Sequence, residues 1–251
     1  MLKPIIEFNY FGINIYQLMA VIGVIFSVVL FLKRLKKAEY TEKQETIIIF
    51  VCLGSALFGL LMANVTNWIF MPELFVLPLL KRIESAGFNF YGGILSFLLL
   101  TFILSKIFKI DSQKLLNQIV PSVLIFHAFG RLGCSLAGCC YGIELHDYPL
   151  VEHTHLELFP AREIESIVLF IMALIFKKKN FQNALPLYFL SYGTLRFILE
   201  FFRGDYRGHL LNANWSPAQV ISTVLVLCAT VYFCLEFYKK KSLGSENDIA
   251  N

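Results

Sequence analysis

Long apolar runs broken by short clusters of charge dominate the chain. Seven such runs stand out, at about 12–32, 46–70, 90–108, 117–133, 164–176, 184–202 and 217–237. A hydrocarbon core about 30 Å thick takes about 20 helical residues to cross. The runs fit that length, the fifth only when extended at either end. None alternates with period two, so a closed β-barrel is set aside, and a helical bundle satisfies every backbone group inside lipid. The predicted fold is all-α: a polytopic membrane protein with seven transmembrane helices. It forms a single integral-membrane domain over residues 1–251, with outer-side loops at about 71–89, 134–163 and 203–216.

Basic residues give the runs a direction. Lys33, Arg34, Lys36, Lys37 and Lys43 follow the first run, and Lys106, Lys109 and Lys114 follow the third. Lys177, Lys178 and Lys179 follow the fifth, and Lys239, Lys240 and Lys241 follow the seventh. The alternate connections are poorer in lysine and arginine. By the positive-inside rule the N-terminus is outside and the C-terminus is cytoplasmic. No small-residue cleavage site follows the first run, which therefore reads as a retained helix. Composition agrees: 57% hydrophobic and 16% charged residues are too apolar a mix for a soluble domain of 251 residues. The net charge of +4 says little about partners in such a chain, and no nucleic acid is expected among them.

Against this background the stretch from His127 to Gly142, HAFGRLGCSLAGCCYG, is anomalous. It gathers one His, one Arg, three Cys and four Gly where the fourth helix ends. His127 and Arg131 are four apart and share a face. An Arg at membrane depth costs about 2.5–3.5 kcal/mol on insertion scales and is a functional candidate by default, the alternative being a side chain that snorkels to the headgroups. In the sixth helix Tyr192, Arg196, Glu200 and Arg203 are spaced four, four and three apart, which places them on one face. Such a stripe must face the bundle or a water-filled cavity. Gly92 and Gly93, after Tyr91 at the start of the third helix, either leave backbone amides open to an anion or let a neighbouring helix approach. Arg162, Glu163 and Glu165 open the fifth helix, where carboxylates also suit the helix dipole. The longest connection also holds His146, His153 and His155, of which His153 and His155 are a weak metal signal without a geometric frame. No metal and no cofactor are expected.

The charge-derived topology puts Tyr16, Tyr91, Gly92, Gly93, His127, Arg131, Glu165, Tyr192, Arg196, Glu200 and Arg203 in the outer half of the bundle. Arginines and carboxylates beside a glycine-rich helix start describe a site for an anionic lipid headgroup reached from the outer leaflet.

These residues carry a resemblance. GRLGCSLAGCCYG resembles the signature of the prolipoprotein diacylglyceryl transferase family, GRxGNFxNxExxG. YGG at Tyr91–Gly93 resembles the family's HGG, LFPAREIES its HPSQLYEA, and YGTLRFILEFFR its YGxxRFxxEFxR. The resemblance implies an enzyme of the bacterial cytoplasmic (inner) membrane, multi-pass, its active site open to the outer leaflet. It would move the diacylglyceryl group of phosphatidylglycerol, or another anionic glycerolipid, to the lipobox cysteine of a prolipoprotein signal peptide and release glycerol phosphate. Arg131 and Arg196 match the family's two essential arginines. Glu200, Tyr192, Glu165 and Tyr16 match supporting positions. The expected catalytic set is thus Arg131, Arg196, His127, Tyr91 and Glu200. Tyr16, Gly92, Gly93, Gly130, Gly133, Cys134, Cys139, Gly142, Glu165, Tyr192 and Arg203 are expected to line the substrate site.

The sequence departs from the pattern at telling places. Tyr91 replaces the family's His, and a phenol with an ordinary pKa near 10 is a poor base at neutral pH. Cys134 and Ala137 replace two Asn, and Cys139 replaces a Glu. His127 is the candidate to take over the base role. Cys139 and Cys140 stand open to packing, to a disulfide, or to accepting an acyl or glyceryl group. Two further readings follow: a divergent relative with a different acceptor, and a non-enzymatic binder of anionic lipid.

Overall fold

The computed structural model describes residues 9–10, 13–70, 76, 78, 89–145, 158–179, 181–205 and 215–249. A two-residue antiparallel ladder, β1 (Asn9–Tyr10) with β2 (Ile13–Asn14), leads into the first helix. Seven helices follow among the described residues: α1 (Ile15–Leu35), α2 (Glu42–Phe70), α3 (Phe90–Ile107), α4 (Ser112–Leu136), α5 (Ala161–Lys179), α6 (Ala184–Glu200) and α7 (Pro217–Ile249). Each falls on one of the apolar runs.

Local chemistry sets where the helices start. Asn14 and Gln17 form a reciprocal capping box at α1, with bonds of 2.9 and 3.0 Å that occupy orphan amides. Asn89 caps α3 by accepting from the Gly92 N–H at 3.3 Å, and Asp111 caps α4 by accepting from the Lys114 N–H at 3.0 Å.

Five helices, α1, α2, α3, α4 and α7, are long and apolar enough to cross a membrane. α5 carries Arg162, Glu163, Glu165 and three lysines within its 19 residues, and α6 is only 17 residues long. The axis of the bundle is α4, of whose most apolar stretch 67% is buried, against 11% for α1. α4 packs on α1 and α5, α2 pairs with α3, and α6 pairs with α7. α1 turns Val21, Val24, Ile25 and Phe26 outward, an apolar face of the kind that lipid tails cover. Pro121 removes one backbone donor within α4. Next to it Ser27 of α1 donates to the Ser122 carbonyl at 2.6 Å, tying the two helices together.

The glycines in α3's first turn settle into packing. A Cβ on Gly92 would lie 1.8 Å from Thr66 Oγ1 and one on Gly93 3.1 Å from the Ala63 Cβ, so α2 closes directly onto α3 there. Their amides are occupied, Gly92 by the Asn89 side chain and Gly93 by the Asn89 carbonyl at 3.1 Å. The anion reading of this pair gives way to the helix-contact reading.

Candidate active site

Three helices deliver the charged centre. α4 presents His127 and Arg131, which are 2% and 8% exposed. α5 brings Glu165, 1% exposed, to the same depth. α6 contributes Tyr192, Arg196 and Glu200, one turn apart along one face as the spacing predicts.

Glu165 is the hub. Its Oε1 lies 3.0 Å from Arg131 Nε and 3.9 Å from His127 Nε2, and its Oε2 lies 3.8 Å from Arg196 Nη1. Tyr192 Oη donates to Oε1 at 2.8 Å. Beyond it Arg196 Nη2 meets Glu200 Oε2 at 2.6 Å, and Arg203 Nε lies 3.7 Å from that same oxygen. Arg203 then forks onto Asp205 with contacts of 2.7–2.9 Å. The chain Arg131, Glu165, Arg196, Glu200, Arg203, Asp205 alternates in sign. That alternation is what makes six ionic groups tolerable where any one alone costs several kcal/mol (about 3–5 when a buried partner is removed). Glu165 is therefore the structural keystone of the cluster rather than a helix-dipole residue.

Pairing leaves donors over. Among the described residues, Arg196 Nε has no acceptor, Arg196 Nη1 reaches Glu165 only at 3.8 Å, and neither ring nitrogen of His127 is hydrogen-bonded. A buried N–H without an acceptor costs about 1–3 kcal/mol, and more on a charged group. Such donors on Arg196, beside the Arg131 guanidinium, mark a place suited to an oxygen-rich anion. His127 sits in an aromatic box, stacked on Phe90 at 3.7 Å and edge-on to Tyr192 at 4.6 Å, while Tyr188 stacks on Tyr192 at 5.6 Å.

Other predicted residues surround this centre in different capacities. Tyr91 is buried, and its hydroxyl shares a hydrogen with Ser222 of α7 at 2.8 Å. Tyr16 lies against α4 where Gly133 leaves room: a Cβ there would be 3.2 Å from the Tyr16 ring and 3.1 Å from Met19. At Gly130 a Cβ would meet nothing within 4 Å, so no contact explains that glycine. Arg203 is off the α6 stripe, because the helix ends at Glu200. The chain there is captured by a clasp: Ile143 N–H to the Phe202 carbonyl at 3.0 Å, Gly204 N–H to the Tyr141 carbonyl at 3.1 Å, and Phe159 N–H to the Ile143 carbonyl at 2.9 Å. Gly142, opposite Arg203, is at its tightest point, since a Cβ would stand 2.2 Å from the Phe159 carbonyl oxygen. Cys134, in the last turn of α4, and Cys139 and Cys140, just past it, converge, their sulfurs all within 4.8 Å of one another. His146, His153 and His155 lie outside the described residues.

Sequence reasoning missed Phe90, Tyr188, Ser222 and Asp205. Tyr188 had a signal, being four residues before Tyr192 on the same face. Ser222 had none, because its partner is 131 residues away.

Fold and centre together define a class: a helical integral-membrane protein built around a buried arginine–carboxylate cluster. The chain belongs to the prolipoprotein diacylglyceryl transferase family, whose model matches residues 3–235. It is 31% identical to the phosphatidylglycerol–prolipoprotein diacylglyceryl transferase of Clostridium tetani, over 96% of this chain and 100% of that one. It is 30% identical to transferase 2 of that description from Clostridium perfringens, over 94% of this chain and 97% of the relative. The Campylobacter jejuni enzyme (strain RM1221) of the same description is 28% identical over 94% of each chain.

Proposed function

We propose that this protein transfers the diacylglyceryl group of phosphatidylglycerol to the lipobox cysteine thiol of a prolipoprotein, releasing glycerol phosphate. The observation that carries this reading is the pair of buried guanidiniums, Arg131 and Arg196, gathered on one carboxylate with Arg196 Nε left without an acceptor. In the step, the acceptor sulfur attacks the glyceryl carbon that bears the phosphate, and a C–S bond forms as the C–O bond breaks. The electron pair leaves with the phosphate oxygen. Arg131 and Arg196 receive that oxygen and its neighbours, and in a dry site such fixed donors act without solvent reorganisation. His127 takes the thiol proton, since a neutral imidazole has one nitrogen lone pair to offer and here both nitrogens lack partners. Glu165 holds the two arginines apart and in register, and Glu200 and Arg203 support Arg196 from the far side. Tyr91, engaged with Ser222, fixes α3 against α7.

The same reading places all seven helices across the bacterial cytoplasmic membrane, N-terminus outside and C-terminus inside, with the centre open to the outer leaflet. Lysine clusters at alternate helix ends support it.

The test is an assay of the purified protein with phosphatidylglycerol labelled in its acyl chains and a lipobox peptide. Label is expected on the peptide cysteine with release of glycerol phosphate. A folded protein that leaves the peptide unlabelled overturns the proposal. Release of glycerol phosphate without peptide labelling would point instead to another acceptor, a reading favoured by the replacements at Cys134, Ala137 and Cys139.

A further inference from the structure

Cys134, Cys139 and Cys140 take no part in the step above, yet the fold brings them together. Cys134 is buried in the last turn of α4, and the chain then reverses through Gly138 at φ 69° and Cys140 at φ 61°. A left-handed φ is rare for a residue with a side chain, and such strain persists where the surroundings over-determine it. Its effect here is to swing two sulfurs back over a third. Cys139 Sγ lies 3.6 Å from the Cys134 carbonyl oxygen and 3.6 Å from Cys140 Sγ, and all three sulfurs fall within 4.8 Å. Zn–S bonds of about 2.3 Å in a tetrahedron put ligand sulfurs about 3.8 Å apart, so one pair is already at that spacing and the others need only a small closure.

We infer that Cys134, Cys139 and Cys140 form a binding site for one thiophilic divalent cation of the Zn²⁺ type, with its fourth position open to water or an outside thiol. Three sulfur donors select against magnesium and calcium, which prefer oxygen. A disulfide would use two of the sulfurs and leave the third without a role, whereas one metal ion uses all three. The ligand cage is braced from outside: Arg162 Nη1 donates to the Cys139 carbonyl at 2.6 Å, and the Cys139 N–H bonds to the Cys134 carbonyl at 3.1 Å. Arg131, three residues before Cys134, supplies positive charge near the surplus negative charge of three thiolates. The ion would pin the turn that joins α4 to the Gly142 clasp.

The proposal is independent of the transfer reaction and has its own readout. Protein purified under reducing conditions is incubated with Zn²⁺, desalted and analysed for metal, and in parallel loaded with Co²⁺ for its visible spectrum. One equivalent of zinc is expected, together with sulfur-to-cobalt charge transfer and the intense bands of a tetrahedral site. Cys139→Ser should lose both, and Cys139→His, which restores a zinc ligand, should recover the metal. Circular dichroism and monodispersity confirm that each variant is folded. Arg196→Ala should keep full zinc while losing transfer, so failure of one proposal does not imply failure of the other. Sub-stoichiometric zinc in the wild-type protein, full zinc in a variant with all three cysteines changed to serine, or a disulfide mapped among the three by intact mass and digestion would each overturn it.

Discussion

Two residues decide whether the centre works as an anion site with a base beside it. Arg196 offers a planar fork, so Arg196→Lys keeps the charge and loses the geometry. Transfer is expected to fall about 10²–10³-fold in kcat, the range seen when one fixed donor to a developing anion is removed. Steady-state assay at saturating lipid checks this, and a change confined to KM would mean that the guanidinium only helps binding. His127 is the second. Nothing among the described residues hydrogen-bonds to its ring, while Phe90 and Tyr192 pack on it. His127→Phe should therefore leave the thermal midpoint nearly unchanged and lower transfer about 10²–10⁴-fold, the contribution of a positioned base. If activity survives this substitution, the proton goes elsewhere.

At the level of elements, the clasp that joins the chain after α4, the entry to α5 and the exit of α6 depends on backbone alone. Gly142→Ala pushes a methyl into the Phe159 carbonyl, a rigid neighbour, and overpacking of this kind costs about 1–3 kcal/mol. Lower thermal stability and reduced transfer are expected together, because the clasp holds Arg203 behind Glu200. Unchanged stability would show that the segment yields freely. This element was also where the sequence was least legible. The apolar runs announced all seven helices, since a hydrocarbon-length run of apolar residues has few other uses, and the four-residue spacing of Tyr192, Arg196 and Glu200 announced their shared face. Arg203 broke the pattern because pairing of residues 202–204 with 141–143 ends the helix, and backbone pairing between distant segments leaves no mark in residue type. Glu165 was seen but underrated. A carboxylate in a helix's first turns has a local explanation, and only the approach of α4 and α6 reveals the other one.

For the whole molecule, the proposed orientation rests on where the lysines fall. A single cysteine placed at Lys240, in a background free of other accessible cysteines, should react with a membrane-impermeant maleimide only after the cells are opened, while one at Ser216 should react in intact cells. The reverse pattern would invert the bundle and put the centre on the cytoplasmic side. Helix pairing bears on assembly as well. α5 and α6 carry Glu165, Arg196 and Glu200, and they are the two helices that are not long and apolar enough to qualify as spans by themselves. Each ionic group at mid-membrane costs about 2.5–3.5 kcal/mol during insertion, so neither helix is equipped to partition into lipid alone. The ion pairs that make the site are thus also the entry condition for its helices. α5 would wait beside α4 at the translocation channel until α6 emerges with the remaining charges, and in a nascent chain halted before Ala184 a cysteine placed at Ile171 should be open to a water-soluble maleimide from which the full chain shields it.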